Sequence, residues 1–311
     1  MVAPPWQEVV TGFDVLAVAL ASGIAFAALW LVPPAAGAAV REEIQRRLQG
    51  FLGAVLGLLT LTSIAVLVAR SIAISGAGLA DLGDVLPLVL TRTDFGHAWL
   101  ARAAAVVLLW VLWLTRRALS SMARTPAAWL VFMLIAVIAY TRSATGHAGD
   151  HGDFRIPVWI DWLHLLAAGL WGGVIVAFLI AARPVVARSE DLSSRALVVR
   201  RFSSLAAAGL FLAAATGVYN AWRELGGWQP LWTTYFGLVL DIKLALVIAM
   251  ALAGASNRFW HVPRIVGASA AFPARALRAL TKTVTAEALL WLAILATVAL
   301  LLHGMPPASM R

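Results

Sequence analysis

Eight apolar runs recur along the chain, at about residues 11–33, 50–74, 96–115, 126–143, 157–182, 200–222, 236–255 and 284–303. Each is long enough to cross roughly 30 Å of hydrocarbon at about 1.5 Å per residue. A segment in lipid must satisfy its own backbone N–H and C=O groups, so each run is predicted to be a helix. Pro33-Pro34, Pro126, Pro157, Pro184 and Pro230 stand at or beyond the run ends, where a missing N–H does least harm. Only 13% of residues are charged, against about 25% in a soluble domain, which leaves no segment to form a soluble core. The expected fold is therefore an all-α integral membrane protein, one polytopic domain over residues 1–311 with about eight transmembrane helices. The first run is longer than the apolar core of a cleaved signal peptide and is expected to be a retained helix. The longest connection, about 256–283, is basic and is expected to hold an interfacial helix around Ala274 to Thr281.

Charge sets the expected orientation. Sixteen of the 24 Lys and Arg lie in the connections after the first, third, fifth and seventh runs; Arg92, Arg142, Arg155, Arg223 and Arg311 lie on the other side. Cytoplasmic loops collect Lys and Arg, so both termini are expected on the non-cytoplasmic side. The same asymmetry accounts for the net charge of +9 without a nucleic-acid partner. The chain has no cysteine, which excludes disulfides and thiolate metal sites and leaves His, Met, carboxylate and backbone as ligands.

In this orientation five of the six histidines share the outer face. His97 opens the third helix, His147 and His151 lie in the loop after the fourth, His303 closes the eighth, and His164 lies inside the fifth; His261 alone is cytoplasmic. The loop Gly146-His147-Ala-Gly149-Asp150-His151 pairs imidazoles with a carboxylate on a free backbone, a set that suits copper, zinc, iron or nickel, or else a solvated polar loop. Asp161 and His164 are three apart, so the carboxylate can act as a second shell that fixes the imidazole tautomer, or can simply be interfacial. Met305 puts a thioether next to His303, a combination suited to Cu(I). Asp14 and Asp241 are placed to add carboxylate oxygens to the same face. Glu287 serves either a path inward or an interfacial anchor, and Gly169, Gly172 and Gly173 read as close helix packing.

These residues carry a resemblance. His147 in Gly-His-Ala, followed by Asp161-Trp-Leu-His164 and Trp171-Gly172-Gly173, resembles the core of the copper resistance protein D (CopD) family. Arg201-Phe202-Ser203, Thr216-Gly217-Val-Tyr-Asn220-Ala-Trp222, Lys243-Leu-Ala-Leu, Asn257-Arg258-Phe259, Val262-Pro263-Arg264 and Glu287 agree downstream, giving a CopD-like core over about 143–303. Over the first 140 residues the likeness lies in hydropathy alone, with His97 a weaker match. The resemblance implies a multi-pass protein of the bacterial inner membrane, surrounded by lipid. It further implies that the protein acts in copper homeostasis, moving copper inward from the periplasm beside a CopC-type carrier on a separate chain. No ATP-binding motif is present, and the chain is not expected to be an enzyme. The alternative is a haem-binding redox protein, similar to HemJ-type oxidases or b-type cytochromes, with His164 as an axial ligand to haem b.

Overall fold

The computed structural model describes residues 5–76, 78–116, 121–146, 154–267, 274–301 and 307–310. Among them, eight helices are long and apolar enough to span a membrane: α1 (Trp6–Leu31), α2 (Ala38–Ser75), α3 (Asp94–Thr115), α4 (Thr125–Ala144), α5 (Ile156–Arg188), α6 (Leu192–Leu225), α7 (Tyr235–Val266) and α8 (Arg275–Leu301). The described residues contain no strand. The all-α, eight-span expectation is therefore met. The bundle has a near face, where α1 begins, and a far face at the other end.

Several helices outrun the apolar runs at the far face. α2 starts at Ala38 and carries Arg46 and Arg47 in ion pairs with Glu43, so a basic connection becomes a helical extension. The residues from Ala274 to Thr281 do not form a separate interfacial helix; they are the first turns of α8. The reason lies in the sequence, where nothing between Arg275 and Thr285 interrupts a helix and Pro273 precedes it.

Caps end the elements where the sequence supplies them. Gly76 and Gly226 adopt φ of 69° and 63° and return their N–H groups to Ile72 and Trp222, closing α2 and α6 in the left-handed conformation that glycine favours. Thr93 and Thr234 accept from the Gly96 and Gly237 N–H groups at 2.9 and 3.0 Å and so start α3 and α7. At the far face Asp191 accepts from the Ser194 N–H at 3.0 Å, and the Ser193 and Ser194 hydroxyls donate to it as well. These bonds hold its carboxyl down at about 2.

The centre of the bundle is α1 with α5. About two thirds of the apolar window of α1 and 72% of that of α5 are buried, against 17–44% in the other spans. Lipid gives little hydrophobic drive for helices to associate, so close van der Waals approach between small residues does the work. A Cβ built on Gly23 would lie 2.2 Å from the Gly173 carbonyl carbon, and one on Gly169 would lie 2.5 Å from Ser22 Cβ. Here α1 and α5 touch backbone to backbone. One residue away, a Cβ on Gly172 would fall 2.1 Å from the indole of Trp291 on α8, and one on Gly209 of α6 would meet Trp171 N at 2.5 Å. The Trp-Gly-Gly motif thus joins α5 to three neighbours at once. It does so from a π-helical stretch, Gly169–Gly173, in which one extra residue widens the turn.

Gly173→Leu should force α1 from α5 and destabilise the fold by about 1–3 kcal/mol or more, the range for overpacking a tight core. Gly50→Ala, where an added Cβ meets nothing within 4 Å, should leave stability unchanged or slightly raised. Thermal inactivation of the detergent-solubilised protein compares the two; equal half-lives would remove the contact from its central role.

Candidate functional site

The near half of the bundle contains a polar layer. Asp14, Arg102, His164 and Lys243 lie about 12 Å along α1, α3, α5 and α7 from their near ends, and Thr216 about 14 Å along α6, at about 1.5 Å of rise per residue. Polar groups at that depth are costly unless paired, and their pairing is what gives the layer its form.

One part is an ion pair. Arg102 reaches across to Asp14 through both terminal nitrogens, the longer contact being 3.1 Å, while its Nε donates to Ser63 Oγ at 2.9 Å. Arg142 of α4 lies 3.7 Å from the same carboxylate. Asp14 is fully buried and Arg102 nearly so. A carboxylate engaged by two guanidinium groups is not free to ligate a metal, so the expectation that Asp14 supplies oxygens to a site is corrected. Asp241 is exposed on α7.

The other part is built around His164. Its Nδ1 is 3.0 Å from Thr216 Oγ1. That hydroxyl donates to the Leu212 carbonyl at 2.6 Å, so its single proton is committed. With that proton directed to the carbonyl, Nδ1–H is assigned toward Thr216, and the neutral ring then carries its lone pair on Nε2. Gly217 makes room for the ring: a Cβ there would sit 3.1 Å from His164 Cε1. Asp161 takes a different partner, accepting from Asn220 Nδ2 at 3.3 Å. Thr216 and the Ala213 backbone are the partners of the ring, and Asp161 stands beside the imidazole rather than on it. Arg142, Arg223 and Lys243 all lie within electrostatic reach of Asp161, and Lys243 also within reach of His164.

Thr216 and Asn220 are four apart on α6 and both face α5. Sequence analysis placed both in a family-like motif without giving either a role. Their i, i+4 spacing in the apolar stretch of α6 was the available signal.

Of the other predicted ligands, His147, His151, His303 and Met305 lie outside the described residues. His97 is exposed on α3, which packs on α4, and α4 packs in turn on α5. Among the described residues, no three His, Asp or Glu side chains form a metal-holding group. At the far face His261, Arg264 and Arg275 line a cavity of about 630 Å³.

Comparison with known proteins joins this geometry to a family. The profile for Copper resistance protein D-like, N-terminal domain, matches residues 8–156, and that for Copper resistance protein D matches 196–301. The chain belongs to the copper resistance protein D family. The N-terminal match covers residues whose likeness lay only in hydropathy, while His164 and Trp171-Gly172-Gly173 fall between the two profiles. Copper resistance protein D of Pseudomonas syringae pv. tomato is 33% identical over 219 residues, covering 66% of each chain. Inner membrane protein YebZ of Escherichia coli (strain K12) is 28% identical over 176 residues, covering 56% of this chain and 57% of that one. Copper transport protein CutJ of Bacillus subtilis (strain 168) is 28% identical over 169 residues, covering 53% of this chain and 30% of that one. The chain thus spans about two thirds, just over half and under a third of these relatives' lengths. No solved structure gives a significant match. With eight apolar spans and such relatives, this copper-homeostasis family member is a multi-pass protein of the bacterial inner membrane.

The buried pair yields a test of stability. Asp14→Asn should leave Arg102 and Arg142 without a carboxylate and cost about 3–5 kcal/mol, the usual loss when half of a buried pair is removed. The double change Asp14→Leu with Arg102→Met should recover much of the folded protein, measured as the monodisperse yield after extraction. Equal yields of Asp14→Asn and wild type would show that the pair is dispensable.

Proposed function

We propose that the near face is periplasmic and that the chain takes up copper there, through His164 together with His147 and His151, and passes it inward. His97 and His303 are further candidate ligands, with Met305 and Asp161 beside them. The orientation rests on the 16-to-5 distribution of Lys and Arg. Copper as the cargo is supported by the family and by the printed names of two relatives. A periplasmic carrier of the CopC type is a fitting donor for a site on that face.

The observation that carries the assignment is the bond from His164 Nδ1 to Thr216. Metal-binding histidines commonly donate the second ring N–H to an acceptor, which fixes the ring and its tautomer. Here that device sits within the membrane layer and directs a free Nε2 lone pair away from α6's hydroxyl. Imidazole is a competent ligand for copper, and the chain has no thiolate to compete. Lys243, within reach of the ring, supplies no anion to hold a metal cation permanently, which suits a passage site better than a store, since conduction requires release as well as binding.

Two measurements test this reading. Reporters fused after Arg117 and Arg188 should lie in the cytoplasm and one after Gly149 outside it; the reverse pattern would overturn the periplasmic placement. Copper titration of the purified protein should show binding lost in His164→Ala and weakened about 10–100-fold in Thr216→Val, the usual effect of removing an outer-shell partner. His261→Ala, at the far face, should bind as wild type does. Unchanged binding in His164→Ala would sink the site, and a Soret band that disappears in that variant would move the assignment to haem.

A further inference from the structure

The far half of the bundle buries a second polar cluster, with no histidine in it. Glu287 of α8 is 2% exposed and Asn257 of α7 is 4% exposed. Glu287 lies about 21 Å from the near end of α8 by helical rise, well below the level of His164 at about 12 Å. Asn257 Nδ2 donates to Glu287 Oε1, and the Thr283 hydroxyl donates to Asn257 Oδ1. The hydroxyl also reaches the Ala279 and Leu280 carbonyls of its own helix at 3.1 and 3.0 Å, so threonine, amide and carboxyl form one polar chain between α7 and α8. Asn257 opens a second π-helical stretch, Asn257–His261, a feature frequent at functional positions.

What the cluster lacks is a cation. On α8 itself Arg275, Arg278 and Lys282 are exposed; around it, Arg183 reaches Thr281 at 3.4 Å and Arg258 reaches Ser203 at 3.4 Å. His261 and Arg264 line the far-face cavity, Asp14 is bound to Arg102, and Asp241 and Lys243 belong to the near half of α7. Glu8 lies in the first turn of α1, at the near face. The π stretches and short helical segment of α5 that touch α8, from Gly169 to Ala182, carry no titratable side chain. Among the described residues no ion pair includes Glu287. An ionised carboxylate accepts about four hydrogen bonds, and a bare buried charge is prohibitive. One amide donor on one oxygen is the complement of a carboxyl that carries a proton. The second oxygen, Oε2, faces Gly254, where an added Cβ would lie 3.4 Å away. With glycine at 254, no side chain from that position covers the oxygen.

We propose that Glu287, held by Asn257 and Thr283, is a proton-exchange site in the inner half of the bundle. A copper cation arriving beside Oε2 displaces the proton, which leaves to water; when the cation moves on, a proton returns. Each exchange trades the proton's positive charge for part of the cation's, so the bundle never holds a bare carboxylate. The exchange with copper rests on the transport reading above, whereas the proton site itself does not.

Infrared spectroscopy of the full chain in lipid nanodiscs, without copper, examines the proton site directly. The wild type should show the C=O band of a buried protonated carboxyl that shifts in D2O. That band should be lost in Glu287→Gln and displaced in Thr283→Val, which releases the asparagine. Its absence from the wild type, or its persistence unaltered in both variants, would overturn the proposal; if Glu287→Gln fails to fold, the shift in Thr283→Val decides. Copper uptake into proteoliposomes under an imposed pH gradient examines the exchange. Wild-type uptake should follow the gradient and Glu287→Gln should lose that dependence while keeping copper binding at the periplasmic site. Gradient-dependent uptake in Glu287→Gln would refute the exchange. A wild type that transports no copper yet shows the carboxyl band would refute transport and leave the proton site standing.

Discussion

In a bilayer the tails are as apolar as leucine, so helices gain little by hiding hydrophobic surface from them, and contact distance becomes decisive. The contact on which this bundle depends is that of Gly23 and Gly173, where two backbones meet with no side chain between them. Once α1 and α5 are that close, Gly172 can receive Trp291 from α8 and Gly209 can bring α6 onto Trp171. The positions of α6 and α8 follow from this packing, and with them the positions of Thr216, Asn220 and Glu287. The polar layers can therefore hold small hydroxyl and amide groups in fixed relations without long flexible side chains. Around the tyrosine and tryptophans of the near face, Tyr140, Trp159 and Trp162, aromatic contacts pin the start of α5 to α4 in the same way.

The spans were legible because length and hydropathy are local properties, and a helix in lipid has no competing conformation. The far-face extensions were not, because charged residues such as Arg46 and Arg47 end an apolar run without ending a helix. Gly169, Gly172 and Gly173 were readable as packing residues from their size alone. The role of Thr216 was not, since a hydroxyl on an apolar helix ordinarily bonds its own carbonyl four residues back, as Thr216 also does; that it accepts from His164 as well depends on which helix faces it. The same holds for Asp14. From sequence it is one carboxylate at the level of several histidines, and only the arrival of Arg102 and Arg142 from α3 and α4 reveals it as spoken for.

The two polar clusters differ in a way that bears on function. In the near half Arg102 and Arg142 stand around Asp14, and Arg142, Arg223 and Lys243 lie within electrostatic reach of Asp161. In the far half a single carboxyl is surrounded by neutral partners. On the proposed reading, a copper cation would leave a layer lined by basic side chains and reach a carboxyl that gives up its proton to receive it.

The π-helical turn at Gly169–Gly173 has one more consequence. An extra residue held in a turn advances the helix by about 100°, the angular step of one residue, so the segments before and after it are out of phase. That offset is how α5 aims His164 at α6 while aiming its glycines at α1 and α8. The ordinary α-helical repeat could not meet both alignments with this sequence spacing. It follows that the distance in residues between His164 and Trp171 is itself a fixed requirement of the architecture: substitutions along this stretch are negotiable to the extent that volume allows, whereas losing a single residue would reset the phase and turn one set of contacts away from its partners.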